Sequence, residues 1–371
     1  MKKAYVLVSN DLYTDQRVHK VCEFLHENGM DVTLLGRKLP NSKELEPRNY
    51  STKRFGLWFK KGPLFYANLN LKLYTFLFFK KCDLIVANDL DTLMAGYLSA
   101  KRKKNCELVY DSHEFYTGVP ELVNRPSVQR IWERIEGWIF PKLNKIYTVN
   151  QSIADIYKKK YGEKLFVVRN VSPRITDLDI VSKETYEIPS DKKMLILQGA
   201  GINVDRGAEE LVEAMIEIDE AVLVIVGDGD VVPQLKTFVE ANNLDQKVFF
   251  LGKKPYLEML AISALADIGF SLDKSTNINY ENSLPNKIFD YIQAGTPIIA
   301  SNIKEVRNVV ETHEIGLIIE EVSASILTEN IKKMLKNEEK RVFFTENCKK
   351  TAQSLNWENE KAVLKKIYFE S

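Results

Sequence analysis

The stretch Asn279-Tyr280-Glu281-Asn282-Ser283-Leu284-Pro285-Asn286-Lys287-Ile288-Phe289-Asp290-Tyr291-Ile292-Gln293-Ala294-Gly295-Thr296-Pro297-Ile298-Ile299-Ala300-Ser301 decides how the chain is read. Ile288, Phe289 and Ile292 recur at helical spacing, Asn282 or Ser283 is the expected N-cap, Pro285 suits the first turn, and Gly295 stops the helix before a short buried strand over 296–300. A helix start carries unpaired backbone N–H groups and the positive end of the dipole, so it favours a phosphate. Asn286 and Lys287 stand in that first turn, and Lys287 adds a full charge. One turn on, Asp290 is placed to accept hydrogen bonds from a vicinal diol such as a ribose. An ordinary amphipathic helix between two strands accounts for the same pattern without a ligand.

Outward from this segment, buried strand-like runs alternate with helical patterns. The runs fall at 5–9, 31–35, 84–87, 107–110, 145–149 and 165–168, and again at 194–198, 221–226, 247–251, 267–271, 297–300 and 316–319. Such alternation predicts βαβ units and an α/β fold with two parallel sheets, divided by a polar linker near 172–191. The expected domains are 1–172 and 173–354, with 355–371 crossing back to the first. Open parallel sheets bind ligands at the carboxyl ends of their strands, so the loops after these strands carry the chemical search.

Composition narrows the classes. A chain of 371 residues, 45% apolar and 28% charged, is long enough for two domains. A formal charge of +1 gives no general attraction to nucleic acid, and none is expected as a partner. Cys22, Cys82, Cys106 and Cys348 are far apart and in no metal-ligand spacing, which points to a reducing cytoplasm and fills each position with core or surface. The opening run is too short for a signal peptide and reads as the first strand; no run reaches the length of a spanning helix. A cytoplasmic protein, peripheral on the inner face of the membrane at most, is expected.

In the first half, Thr14 or Asp15 caps a helix over 15–28, and Asp15 and Arg17 are acceptor-side candidates, although capping alone accounts for Asp15 equally well. Asp89 follows the third run. His113 follows the fourth, beside Asp111 and Glu114, where a titratable cluster at a strand's carboxyl end suits a functional role. Between Arg17 and Asp89, 47–82 contains no acidic residue and interleaves Lys53, Arg54, Lys60, Lys61, Lys72, Lys80 and Lys81 with aromatics. That composition over 53–81 suits an anionic membrane surface or a lipid-linked phosphate acceptor; helices packed on the core with snorkelling lysines account for it too.

In the second half, the loop Gly199-Ala200-Gly201-Ile202-Asn203-Val204-Asp205-Arg206-Gly207 between a strand and a helix suits a phosphate cradle through Gly201, Arg206 and Gly207. The third glycine of the dinucleotide fingerprint is replaced by Val204, which disfavours an NAD enzyme.

These segments resemble, in order along the chain, the retaining glycosyltransferases of family 4, of the group 1 type. In that family a Glu, seven residues and a second Glu precede a run like Ala294-Gly295-Thr296-Pro297-Ile298-Ile299-Ala300-Ser301. Asp290 falls on the second acid, which holds the ribose of a sugar nucleotide; Asn282 stands on the first, with Glu281 one place earlier, so either contacts the sugar. The resemblance implies a GT-B fold of two Rossmann-like domains facing a central cleft, His113 reaching toward the transferred sugar, and Arg206-Gly207 on the pyrophosphate. It also implies backbone contact to the base at Gly252 and Lys253 and a closing helix after Trp357. Ala200 replaces an Arg common in the family, and Lys287 is the expected substitute, so that His113, Arg206 and Lys287 are the catalytic candidates and no metal is required. The implied donor is a UDP- or GDP-sugar and the implied acceptor a hydroxyl, in surface polysaccharide or lipid-linked oligosaccharide assembly. A sugar-nucleotide 2-epimerase of the same fold and a non-catalytic membrane-associated scaffold are the alternatives.

Overall fold

The structure, a computed structural model, describes residues 1–13, 15–179 and 181–370, with the backbone alone at Pro120. Strands β1 (Lys2–Leu7), β2 (Met30–Lys38), β3 (Ser51–Gly56), β4 (Leu84–Asn88), β5 (Glu107–Ser112), β6 (Lys145–Thr148) and β7 (Phe166–Val167) form one sheet; β8 (Lys193–Gly199), β9 (Ala221–Gly227), β10 (Val248–Gly252), β11 (Ile268–Ser271), β12 (Ile298–Ser301) and β13 (Gly316–Ile319) form another. Every recorded pairing is parallel.

The first sheet has the order β3-β2-β1-β4-β5-β6-β7 and the second β10-β9-β8-β11-β12-β13. Each reverses direction once, between β1 and β4 and between β8 and β11. Helices flank both sheets, and this covering accounts for strands that are apolar on both faces: β4 is buried throughout, as is β9 apart from Gly227.

The chain divides into two compact units, Met1–Arg169 with Val363–Ser371, and Asn170–Ala362. In the first, Leu7, Leu35, Leu69, Leu73 and Ile85 pack one core and Leu90, Tyr110, Phe140 and Tyr157 another. The terminal residues join it through Tyr368, whose hydroxyl lies 2.9 Å from that of Tyr147. In the second, Leu195, Leu223, Leu211, Phe270 and Ile331 share a single core. Among the described residues no helix is long and apolar enough to cross a membrane.

Two sequence expectations change here. β3 lies inside the basic and aromatic stretch and was not among the expected strands. It is the edge of its sheet, with Ser51, Thr52, Lys53 and Gly56 exposed, so it carries no buried run to betray it. Cys82 and Cys106 are not isolated fillers: they precede the adjacent strands β4 and β5, which brings their free thiols to 3.1 Å, Sγ to Sγ.

Candidate functional site

In the second sheet the strand order reverses between β8 and β11, and the crevice at their carboxyl ends is where open α/β sheets take ligands. The loop after β8 is zipped to the loop after β9: Asp228 N donates to Gly199 O (3.3 Å), Ile202 N to Asp228 O (3.0 Å) and Val231 N to Ile202 O (3.3 Å). A Cβ at Gly227, where φ is +135°, would lie 1.8 Å from Gly199 O, so glycine alone permits this approach. The β8 loop ends in Gly207, φ +70°, the N-cap of the helix Ala208–Ala214, where a Cβ would meet Leu272 at 2.4 Å. Gly201 is exposed and has room for a side chain, its added Cβ finding Asn203 at 3.5 Å.

The helix Asn286–Ala294 is anchored by Tyr291. Its buried hydroxyl lies 3.2 Å from both Ile196 O and Phe270 O, and its ring fills the space left by Gly269, where a Cβ would stand 2.8 Å away. Lys287, four residues earlier and so on the same helix face, is thereby carried to the sheet's carboxyl edge; its Nζ comes within 3.9 Å of a Cβ placed at Gly199. The start of this helix differs from the expectation. Pro285 is the N-cap, without a side-chain cap, because a residue before proline is disfavoured in the helical region and Leu284 cannot continue a helix into it. Asn282 instead ends the separate helix Ile278–Glu281, donating Nδ2 to Ile278 O (2.7 Å), and Ser283 donates to Tyr280 O (3.0 Å). The first amides of Asn286–Ala294 are consequently left without a side-chain acceptor.

Arg206 Nη1 donates to Asp273 Oδ1 at 2.8 Å, and the guanidinium lies 4.5 Å from the Tyr280 ring centroid. Arg206 Nε and Asp273 Oδ2 are buried with no hydrogen-bond partner among the described residues. Lys287 makes no hydrogen bond or ion pair among the described residues. Burial pushes its pKa below the ordinary lysine value; Asp273 and Asp290 oppose that shift and Arg206 adds to it. Two cations, orphaned polar atoms and an uncapped helix start form a ready receptor for an anion with several oxygens.

Asp290 is not an open carboxylate. Only 8% exposed, it accepts from Ser172 Oγ (2.6 Å) and Tyr256 OH (3.0 Å) on Oδ1 and from Gln198 Nε2 (3.1 Å) on Oδ2. A short acid buried beside β8 requires such donors. Glu281 is exposed at the end of its helix, and Asn286 is exposed at the start of the next. Gly252 ends β10 with φ +64°, and Lys253 Nζ reaches Asp228 Oδ2 at 3.2 Å, holding that acid below its usual pKa. Sequence reasoning missed Asp273, Tyr280, Tyr256 and Ser172. Asp273 was findable, since it follows the buried strand β11 as Asp89 follows β4.

In the first sheet, Asp89 stands after β4 with φ +57° and ψ 167°, a strained backbone for a non-glycine residue. It is held there by Asp89 N donating to Asp111 O (2.9 Å) and His113 N donating to Asp89 Oδ1 (2.8 Å). The imidazole of His113 lies between two acids, Nδ1 3.3 Å from Asp89 Oδ2 and Nε2 3.3 Å from Asp111 Oδ2. The second is an ion pair without hydrogen-bond direction, so the buried Nε2 retains an unspent hydrogen bond. Burial lowers the His113 pKa, but Asp89 and Asp111 outweigh it and push it up to about 9. Burial, reinforced by Asp89, pushes Glu114 and Asp91 each up to about 7.

Arg17 does not present its guanidinium to a ligand. It is 4% exposed, donates from Nη2 (2.7 Å) and Nε to the buried Asp111, and gives Nη1 to Val168 O (2.9 Å). Burial acts to raise the Asp111 pKa, yet Arg17 and His113 hold it well below the carboxylate range. Asp15 caps the helix Gln16–Glu27 by accepting from Val18 N (3.0 Å), and it also accepts from Asn10 Nδ2 (2.6 Å). Thr14, the other expected cap, lies outside the described residues.

Comparison with known proteins agrees with this architecture. The sequence model of the family "Glycosyltransferase Family 4" matches residues 15–171, and that of "Glycosyl transferases group 1" matches 181–351. An uncharacterised glycosyltransferase of Methanocaldococcus jannaschii is 20% identical over 368 residues, covering 92% of this chain and 90% of the relative. Sucrose-phosphate synthase from Thermosynechococcus elongatus superposes with a TM-score of 0.79 at 18% identity, over 99% of this chain and 98% of its own. HepE of Anabaena, in complex with UDP and glucose, gives a TM-score of 0.72 at 15% identity, over 98% of each chain. The two family matches together leave only the termini and 172–180 unmatched, and the chain belongs to the group 1/family 4 glycosyltransferases of the GT-B type.

Proposed function

We propose that this glycosyltransferase moves a hexose from a UDP- or GDP-sugar to a hydroxyl acceptor with retention of the anomeric configuration. The observation that carries the reading is the set of unspent donors at the β8/β11 edge, where Arg206 is paired with Asp273 and Lys287, beside an uncapped helix start, has no ion-pair partner among the described residues. Binding energy realised as the glycosidic bond breaks is what accelerates transfer, and a diphosphate gains charge in that step. Lys287, the first amides of Asn286–Ala294 and Arg206 stabilise it, so two cations do the work a divalent metal would otherwise share. Gly201 and Gly207 frame the pyrophosphate loop, and Gly252 with Lys253 meets the base.

Asp290 holds the ribose. For a diol to reach it, Ser172 or Tyr256 must give up its hydrogen bond, a substitution of one neutral hydroxyl donor for another. Of the two candidates for the missing first acid, Glu281 is favoured as the sugar contact: it is an exposed carboxylate, whereas the Asn282 amide is engaged at a helix end.

His113, protonated at neutral pH, is a donor and not a base; Nε2–H is the proton it offers to a sugar hydroxyl. With no carboxylate pair set for double displacement, attack proceeds on the face the leaving group departs from, and the departing phosphate oxygen takes the acceptor proton. Asp89 and Glu114 shape the acceptor side, and the basic stretch over 53–81 suits an anionic membrane surface or a lipid-linked acceptor, placing the protein at the cytoplasmic face.

Proton NMR of the products tests the reading. With donor and acceptor, the new linkage keeps the donor's anomeric configuration; inversion, or epimerised donor formed without acceptor, contradicts it.

A further inference from the structure

At the carboxyl ends of β2 and β3, where the helix Gly62–Phe78 begins, the first unit holds a cavity of about 290 Å³. Every charged residue lining it is a cation: Arg37, Lys38 and Lys60, set among Leu57, Phe59 and Phe65. Arg37 lies with its guanidinium carbon 4.8 Å from the Phe65 ring centroid, and its Nε is buried with no hydrogen-bond partner among the described residues. A buried donor lacking an acceptor is costly, and an anion supplied from outside would relieve it.

The surroundings are apolar as well as basic. Leu64, Leu71 and Phe78 are exposed at seven-residue intervals, hence along one face of the helix, and Trp58 and Phe79 are 78% and 83% exposed. No acidic residue occurs in 47–82, and Asp91, the acid whose charge acts on Arg37, is pushed toward its neutral form by burial, up to about 7. A ligand that satisfies both features carries a negative head and a hydrocarbon stem.

We propose that this cavity binds the phosphate group of an anionic amphiphile. Arg37, Lys38 and Lys60 hold the phosphate oxygens, while Leu57, Phe59 and Phe65 cover the first carbons of the stem. Three cations around one cavity match a phosphate better than a carboxylate, because a phosphomonoester brings up to two charges and three acceptor oxygens. A phosphate group is carried both by a phospholipid headgroup, a diester with one charge and two free oxygens, and by a lipid-linked phosphate monoester presented as a single molecule. This inference stands apart from the donor reading, since it concerns the other sheet and its test contains no sugar nucleotide.

The test is isothermal titration of the full chain with decyl phosphate below its micelle concentration, with decyl maltoside and inorganic phosphate as controls. One decyl phosphate per chain is expected, with each control binding more than tenfold more weakly. The double variant Lys38→Gln/Lys60→Gln, both positions being exposed and so tolerant of change, should lose at least tenfold in affinity at an unchanged melting temperature. Sedimentation with phosphatidylglycerol and phosphatidylcholine vesicles separates the sources. If the double variant also loses phosphatidylglycerol vesicles, the headgroup is the occupant; if it keeps them while losing decyl phosphate, the occupant is a single lipid-linked molecule. Equal affinity for decyl maltoside, a stoichiometry well above one, or undiminished affinity in the double variant overturns the proposal.

Discussion

The two sheets reverse strand order at equivalent places, yet their carboxyl edges differ in how their cations are paired. At the first, Arg17 and His113 are enclosed by Asp89 and Asp111, with Asp91 and Glu114 nearby, so acids outnumber bases and both cations are ion-paired. At the second, Arg206 is paired with Asp273, and Lys287 has no ion-pair partner among the described residues, although Asp273 and Asp290 both act on it from nearby. Topology makes both edges available for ligands; under the proposed function, the free ammonium of Lys287 is what favours the second for a diphosphate.

The largest effect that should separate the edges is on stability. Arg17→Met strands the fully buried Asp111, and breaking a buried pair from one side costs about 3–5 kcal/mol. Urea unfolding reads it directly, and a loss below about 1 kcal/mol would show that Arg17 is not what compensates that acid.

Lys287→Met should behave in the opposite way. It removes a desolvated ammonium without an ion-pair partner, so the melting temperature should hold or rise. Turnover efficiency should meanwhile fall by about 10²–10³, as for the loss of a donor aimed at transition-state charge. Parallel losses of stability and kcat/KM would make Lys287 a structural residue.

A third difference is a slope with pH in the first unit. His113 has a pKa of about 9 in the folded chain against about 6.5 unfolded, so its stabilisation is complete below about 6.5 and is lost as pH rises through 9. Glu114 and Asp91, raised to about 7, also leave the folded state holding more protons than the unfolded one below that pH, so stability falls there too. The native chain should therefore lose stability from about pH 5 to pH 9. His113→Asn should abolish the upper part of that decline and keep the lower, as measured by chemical unfolding across pH; an unchanged profile would remove His113 from the account.

What the sequence disclosed follows from the range of the forces involved. Strands buried on both faces, such as β4 and β9, announce themselves as apolar runs, and Gly295 marks a helix end by its left-handed backbone, φ +73°. Lys287 was legible because its helix start lies next to it in the chain. β3 was not, since an exposed edge strand has no apolar alternation to show. Arg17 was read as open to an acceptor because its partner Asp111 lies 94 residues away, and Asp290 was read as open because Ser172, Tyr256 and Gln198 come from three distant segments. The N-cap moved from Asn282 or Ser283 to Pro285 for a local reason that was present in the sequence, the restriction Pro285 places on Leu284.

Calorimetric titration of UDP and GDP into the native chain and into Lys287→Met tests the central claim most directly. One nucleotide should bind the native chain with proton uptake in alkaline buffer, because the phosphate raises a lysine pKa that burial had lowered, and the variant should lose both the affinity and the uptake while remaining folded. Equal affinity in the two proteins, or binding without proton exchange at any alkaline pH, would contradict the assignment of the diphosphate to the β8/β11 edge.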